Sequence, residues 1–245
     1  MFWKGFIKTP ISILLMNYKN LVFLGTSHIA KQSLDEVKQY IEKEKPEIIA
    51  IELDAKRLPA LMSNAPKKIH FSNIPRIGLK GFLFSLFGAW AEKKLGKLVG
   101  VAPGSEIKQA IKIAKKKNIK IAMVDQDIEI TLRRLSKTLT WKEKRNFLAD
   151  IFKAVFSRKK EVYFDLATVP DDKIIKKLTG KLKKRYPNVH KVLIEERNAV
   201  IAQNLKNLMN SNPDKKILVI LGAGHVDDVL DLLKEPCINY SFSVG

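Results

Sequence analysis

The chain has 245 residues, of which 46% are apolar and 29% are charged, so a disordered, collagen-like or low-complexity protein is excluded and one folded globular protein is expected. The single cysteine, Cys237, excludes an internal disulfide and a four-thiolate metal site, which favours a reducing, cytoplasmic location. The formal net charge of +20 is spread over nearly all the predicted helices. We therefore expect solvated basic faces, with nucleic-acid binding through this charge as a less favoured alternative.

Short aliphatic runs bounded by turn residues predict the sheet. Residues 1–18 precede these runs and are predicted to form an amphipathic segment rather than a signal peptide or a membrane span. Four runs then predict buried parallel strands: Leu21–Leu24, Ile48–Leu53, Ile119–Val124 and Ile217–Leu221. Cys237–Val244 is a candidate last strand. Because helical patterns separate the first three runs, the sequence predicts an α/β fold with a mostly parallel sheet flanked by helices.

Two further segments extend this α/β core. Residues 128–212 show helical periodicity and no strand pattern, which predicts a helical subdomain inserted before the last of the four strands. Residues 75–100 are strongly apolar and aromatic, and they predict a helical insertion that another surface must cover. We expect a single domain over residues 1–245, with the α/β core formed by residues 18–127 and 213–245.

The apolar insertion at residues 75–100 leaves several alternatives open. It could form an αα-hairpin packed on its own core, a homodimer interface, a lid over the site, or an attachment to a membrane surface. Lysines flank it, and Lys80, Lys93, Lys94 and Lys97 would suit anionic lipid headgroups. We expect a homodimer interface or a lid, with peripheral membrane association as the alternative.

The same Gly-x-x-His pattern follows two predicted strands, as Gly25–His28 and as Gly222–His225. Another predicted strand carries Glu52 near its end. Because ligands bind beyond the carboxyl ends of parallel strands, these three side chains are expected at one edge of the sheet. Two imidazoles and a carboxylate suit a divalent metal with an open position for water. We therefore predict that His28, His225 and Glu52 bind Mn²⁺, Co²⁺ or Zn²⁺.

The helix predicted over residues 189–208 carries a further candidate acid. Its helical wheel predicts a buried stripe formed by Val189, Leu193, Glu196 and Val200. Glu196 is thus expected to face inward, with Arg197 on the flank of the apolar face. Since a buried carboxylate must be paired, bound to a metal or protonated, Glu196 is either part of a structural ion pair or a site acid.

Four more charged residues follow the second and third predicted strands. Asp127 is predicted to cap the next helix, whereas Asp125 is open to either a structural or a site role. Asp54 is expected at the same edge of the sheet. Arg57, one helical turn later, would either bind a substrate carboxylate or hold Asp54 or Glu52 in place.

Taken together, these segments resemble the archaeal form of the TraB/PrgY pheromone-shutdown family. The matching segments are Gly25–His28, Glu47–Asp54 with Arg57, Pro103–Glu106, Val124–Arg134, Glu196–Asn198 and Gly222–His225. That family is related to the Tiki proteases, the erythromycin esterases and the haem-binding ChaN proteins, and the Tiki branch has metal-dependent peptidase activity. By motif, the resemblance implies site residues at His28, Glu52, Glu196, Arg197 and His225.

This chain departs from the family pattern in two places. Gln126 stands where members commonly have an arginine, which argues against the usual substrate contact at that position. Archaeal relatives also tend to carry C-terminal membrane helices, whereas this sequence stops soon after its last motif. We therefore expect either a soluble short form or an excised domain.

The function favoured by these observations is a metal-dependent hydrolase, a peptidase that acts on peptide signals. In this hypothesis the two Gly-x-x-His histidines and a carboxylate hold the metal, and Glu52 or Glu196 is the general base. Arg197 or Arg57 would stabilise the developing oxyanion. The alternative is a non-catalytic protein that sequesters a peptide, haem or another small ligand in the same cleft.

Overall fold

The computed structural model describes residues 15–26, 31–63, 75, 104–156 and 172–235, which form an α/β fold. The strands are β1 (Leu15–Tyr18), β2 (Leu21–Thr26), β3 (Ile48–Ile51), β4 (Lys120–Met123) and β5 (Ile217–Gly222). They form one sheet in the order β1-β2-β5-β3-β4. The pairs β2–β5, β5–β3 and β3–β4 are parallel, and β1 is antiparallel to β2.

Helices connect the strands in this part of the chain. They are α1 (Lys31–Glu44), α2 (Leu58–Met62), α3 (Ser105–Lys116), α4 (Ile128–Thr138), α5 (Trp141–Phe156), α6 (Asp172–Arg185), α7 (Pro187–His190), α8 (Glu196–Asn210) and α9 (Ala223–Lys234). A π-helical turn, Lys191–Glu195, joins α7 to α8. In the described ranges, no helix is both long enough and apolar enough to cross a membrane.

The central strand β5 shows how the sheet is buried on both faces. Ile217, Val219 and Leu221 pack against one helical layer, which includes α8 and α9. Leu218 and Ile220 point the other way, onto α1 and α3. All five side chains have 0% exposure, because successive residues of a strand alternate between two covered faces. This explains why the strand is an unbroken aliphatic run.

The four strands predicted from aliphatic runs are confirmed as β2, β3, β4 and β5, and the prediction of a mostly parallel sheet is confirmed. The structure adds β1 within residues 1–18, where only an amphipathic segment was predicted. In β1 every second side chain is half-buried, and Met16 and Tyr18 pack against the core. Cys237–Val244 and, apart from Pro75, residues 75–100 lie outside the described residues.

Of the predicted buried stripe, Val189 is buried and Leu193 packs against the same cluster, but the predicted burial of Glu196 is wrong because a π-helical turn precedes it. The Glu196 N–H donates to the carbonyl of Lys191, five residues earlier, so this turn holds more residues than an α-helical turn. The phase of the helix therefore shifts before α8 begins. Beyond that point the buried residues are Asn198, Ile201, Ala202, Leu205 and Met209.

Candidate functional site

The carboxyl ends of three strands bring the main site residues together. Glu52 directly follows β3, Asp125 is the second residue after β4, and Gly222 ends β5. Glu52 and Asp125 are 6% and 7% exposed. The backbone N–H of Gly222 donates to Oε2 of Glu52 at 2.6 Å, which fixes this carboxylate beside the start of α9.

Arg197, on the first turn of α8, bridges the two carboxylates. Its Nη2 donates to Oε1 of Glu52 at 2.6 Å and to Oδ2 of Asp125 at 2.7 Å, and its Nε donates to Oδ1 of Asp125 at 3.0 Å. Burial disfavours the charged guanidinium, but Glu52 and Asp125 outweigh this effect and raise the pKa of Arg197. Arg197 is therefore held as a cation among carboxylates.

A second arginine closes the outer side of the cluster. Arg57 donates through Nε to Asp54 and through Nη2 to Asp125, and its side chain is 34% exposed. Asp54 also accepts from the backbone N–H groups of Lys56 at 2.9 Å and Arg57 at 3.2 Å, which tightens the turn before α2. Arg57 thus holds Asp54, as one of the two predicted alternatives stated, and it remains accessible from solvent.

His225 reaches the same cluster from the first turn of α9. Its Nε2 lies 3.5 Å from Oε1 of Glu52, and its residue exposure is 7%. Its other nitrogen, Nδ1, lies 2.6 Å from Oδ1 of Asn198, a residue that is 1% exposed. Nδ2 of Asn198 donates in turn to Oδ2 of Asp228 at 3.0 Å. The ring therefore lies between a carboxylate and an amide, and the amide contact is the shorter of the two.

Of the two remaining predicted site residues, one stands apart from this cluster and the other is outside the described part of the chain. Glu196 is 21% exposed and forms a two-point ion pair with Arg134 of α4, at 2.6 and 3.1 Å. His28 lies outside the described residues, so its assignment stays a prediction. Among the residues that the structure describes, no group of three His, Cys, Asp or Glu side chains could hold a metal ion.

Asn198 and Asp228 were not singled out by the sequence analysis. Asn198 shares a helical stripe with Ile201 and Leu205, both of which have 0% exposure. An amide on such a stripe must find hydrogen-bond partners when it is buried. A helical wheel started at residue 198 would have identified it, but the wheel started at Val189 was out of phase. Asp228 carried no comparable signal.

An open groove lies behind His225, between α6 and α9. Its volume is about 530 Å³. Lys176, Gly180, His190, Asn198 and Asp228 are among the residues that line it. The outer end of the Asp228–Asn198–His225 contacts is therefore reached from solvent.

Comparison with known proteins agrees with the motifs. The sequence profile of the TraB/PrgY/gumN family matches residues 17–239. The uncharacterised protein MJ1365 of Methanocaldococcus jannaschii is 34% identical over 223 residues, which are 90% of this chain and 55% of that protein. The chain therefore spans about half the length of this curated relative.

One solved structure shows a weak likeness. It is a mutant erythromycin esterase in its open conformation, 12% identical, with a TM-score of 0.33. The match covers 83% of this chain and 60% of that protein. This likeness is too low to support an argument about function.

Proposed function

Since the chain belongs to the TraB/PrgY/gumN family, we propose that it is a hydrolase that acts on peptides, with Glu52 and His225 at the centre of the reaction. The observation that carries the proposal is the contact of 3.5 Å between a buried imidazole and a buried carboxylate. This pair lies at the carboxyl ends of parallel strands, where α/β folds bind their ligands. The peptide is proposed from the theme of the family that the motifs resemble.

The charged residues of the cluster suit a proton transfer and a developing negative charge. Glu52 is the proposed general base, because Arg197 and the N–H of Gly222 hold its carboxylate in a fixed position. Within the described part of the chain, two of the five N–H groups of Arg57 donate to Asp54 and Asp125. We propose that its accessible edge binds the substrate carbonyl oxygen.

A divalent metal, implied by the resemblance, is compatible with the residues present. His225 Nε2 and Glu52 Oε1 are 3.5 Å apart, close to the roughly 3.4 Å that separates neighbouring ligands of tetrahedral zinc at bond lengths of about 2.1 Å. With a metal bound, Glu52 would serve as a ligand instead of as the general base, and the proposed third ligand is His28. When bound there, Mn²⁺, Co²⁺ or Zn²⁺ would lower the pKa of a coordinated water.

The test is cleavage of a defined peptide library by the purified chain, with new termini identified by mass spectrometry. We expect cleavage with Mn²⁺, Co²⁺ or Zn²⁺, and a loss of about 10²- to 10⁴-fold in Glu52→Gln and His225→Ala. The matched control is Glu44→Gln, because Glu44 forms an ion pair with Lys216 at the opposite, amino edge of the sheet. This control should cleave like the wild type.

Three results would contradict parts of the proposal. Cleavage that survives in His225→Ala would remove the pair from the reaction. Cleavage that is unchanged in EDTA would reject the proposed role of a metal, but the proposal of a hydrolase would stand. Saturable binding of peptide or haem without any new termini would instead support the binding-protein alternative.

A further inference from the structure

A chain of hydrogen bonds runs from His225 to the surface groove. Its first contact joins Nδ1 of His225 to Oδ1 of Asn198 at 2.6 Å, and its second joins Nδ2 of Asn198 to Oδ2 of Asp228 at 3.0 Å. His225 and Asn198 are buried, whereas Asp228 is exposed. These two hydrogen bonds thus link the buried ring of His225 to a carboxylate that is accessible to solvent.

The chemistry of these groups determines where the protons lie. A carboxylate only accepts hydrogen bonds, so the NH₂ group of Asn198 must face Asp228. The carbonyl oxygen of Asn198 then faces His225, and an amide oxygen can only accept. Nδ1 of His225 must therefore carry the proton. In the neutral ring this leaves Nε2 unprotonated, on the side where Glu52 Oε1 lies 3.5 Å away.

We infer that Asn198 and Asp228 are positioning residues that hold His225 in the Nδ1–H tautomer, so that the lone pair of Nε2, on the side of Glu52, can accept a proton or bind the proposed metal. This inference rests on the proposed function in placing His225 at the reaction centre. The tautomer itself is a property of the folded protein and can be measured without any substrate. Hydrogen bonds of this kind set the tautomer of histidines that bind metals or transfer protons.

If these hydrogen bonds had only a structural role, a different residue would be expected at position 198. Burying an amide is unfavourable unless it is hydrogen-bonded, and the adjacent stripe positions on α8 are apolar. An apolar residue at position 198 would therefore be tolerated if the helix only needed packing. The hydrogen bonds instead give the ring a fixed orientation, because the Asp228 carboxylate only accepts and so determines which groups of Asn198 and His225 donate.

The test is nitrogen NMR of the histidine rings in the full, metal-free, ¹⁵N-labelled chain, at a pH where the ring is neutral. The sequence has four histidines, so His225→Gln assigns the His225 signals by their loss. We expect a protonated Nδ1 and an unprotonated Nε2 in the wild type. Asn198→Leu removes the acceptor and should convert most of the population to the Nε2–H tautomer. Asn198→Asp combined with Asp228→Asn keeps an acceptor at Nδ1 and places a donor at position 228, and it should restore the Nδ1–H tautomer.

Two substitutions on α9 test the outer end of the chain. Asp228→Asn removes the carboxylate that fixes the amide of Asn198, and it should give a mixture of tautomers. The matched control is Asp227→Asn, since the adjacent Asp227 pairs with Lys176 at 3.0 Å and does not contact Asn198 in this chain of hydrogen bonds. This control should retain the wild-type tautomer.

Each outcome decides the inference. An Nε2–H tautomer in the wild type would overturn it, as would an unchanged tautomer in both Asn198→Leu and Asp228→Asn. If Asn198→Leu fails to fold, the wild type and Asp228→Asn still give the answer. An Nδ1–H tautomer in a protein that cleaves no peptide would leave the inference standing and reject the proposed function.

Discussion

Arg197 donates from Nη2 to Oε1 of Glu52 at 2.6 Å across a sequence separation of 145 residues, and this bond joins the first turn of α8 to the end of β3. The guanidinium is 16% exposed and the carboxylate 6% exposed. Because the same guanidinium also binds Asp125, one side chain connects a helix to the ends of two strands. The geometry of the proposed site therefore depends on this arginine.

We expect Arg197→Gln to destabilise the fold strongly. The substitution leaves the buried carboxylates of Glu52 and Asp125 without their shared cation, and breaking a buried ion pair costs about 3–5 kcal/mol. The measurement is the free energy of unfolding from urea denaturation. The matched control is Arg134→Gln, whose partner is Glu196 and whose side chain is 47% exposed. An exposed pair of this kind is worth about 1 kcal/mol or less.

Equal losses of stability in the two arginine variants would contradict this expectation. Such a result would mean that solvent screens the Arg197 contacts as well as it screens the Arg134 contacts.

Glu196→Gln separates the two candidate general bases named by the sequence. Glu196 is held by Arg134 on the side of α4, and its pair is partly exposed, whereas Glu52 lies 3.5 Å from His225. We expect Glu196→Gln to retain peptide cleavage within a few-fold, and Glu52→Gln to lose about 10²- to 10⁴-fold. The values of kcat and KM for one cleaved peptide provide the comparison. The reverse order would transfer the role of base to Glu196.

The fold was predicted well wherever burial alone determines the sequence pattern. A strand covered on both faces is a continuous aliphatic run, and β5 is such a run. β1 escaped prediction because it has only four residues, with every second one half-buried at the edge of the sheet. A pattern of period two over four residues carries too little information to distinguish a strand from an amphipathic segment.

The site was only partly predictable, because side-chain direction depends on helix phase. The positions of Glu52, Asp125 and His225 at one edge could be predicted, because each residue follows closely after a strand and the carboxyl ends of parallel strands meet at the same edge of the sheet. Across the π-helical turn at Lys191–Glu195, the periodicity of 3.6 residues fails. The wheel therefore assigned the buried position to Glu196, whereas Asn198 occupies it. The periodicity of the sequence does not reveal this π-helical turn, so the burial of Asn198 could not be predicted from it.

The buried carboxylate of Glu143, outside the proposed site, should make the stability of the contact between α5 and α7 sensitive to acid. Its side chain is 1% exposed and accepts from the backbone N–H and hydroxyl of Thr140 at 3.0 and 2.9 Å. It also accepts from the backbone N–H and amide of Asn188 at 2.8 and 3.0 Å, which ties α5 to α7. Burial raises the pKa of Glu143, but these hydrogen bonds outweigh burial and lower it below its ordinary 4.5.

The sign of the pH effect follows from the lowered pKa. The stabilisation is fully present above the unfolded pKa near 4.5 and is lost as the pH falls through the lower folded value. We expect Glu143→Gln to cost about 2 kcal/mol at pH 7, the typical range for hydrogen bonds to a charged group, and progressively less below pH 4. Urea denaturation at several pH values measures the difference. Glu42→Gln, at an exposed site on α1, should stay within about 0.5 kcal/mol of the wild type at pH 7.

A difference that stays constant from pH 7 to pH 3 would show that the Glu143 hydrogen bonds do not depend on its charge. The clamp between α5 and α7 would then act through packing alone.

Two glycines should respond to alanine with opposite signs. Gly104 precedes α3 with φ +79°, and a Cβ at this position would lie 3.0 Å from Cδ1 of Leu61. The left-handed conformation costs an L-residue about 1–2 kcal/mol, and the Leu61 side chain must also shift, so Gly104→Ala should lower the free energy of unfolding by about that amount.

Gly180 lies inside α6, and in the described part of the chain no heavy atom outside the local helix backbone lies within 4 Å of the point that a Cβ would occupy. Because alanine favours the helix interior over glycine, Gly180→Ala should raise the free energy of unfolding by up to about 1 kcal/mol. Thermal and urea denaturation of both variants measure the pair, and a loss of stability in Gly180→Ala would show that the α6 side of the groove is more closely packed than its open geometry indicates.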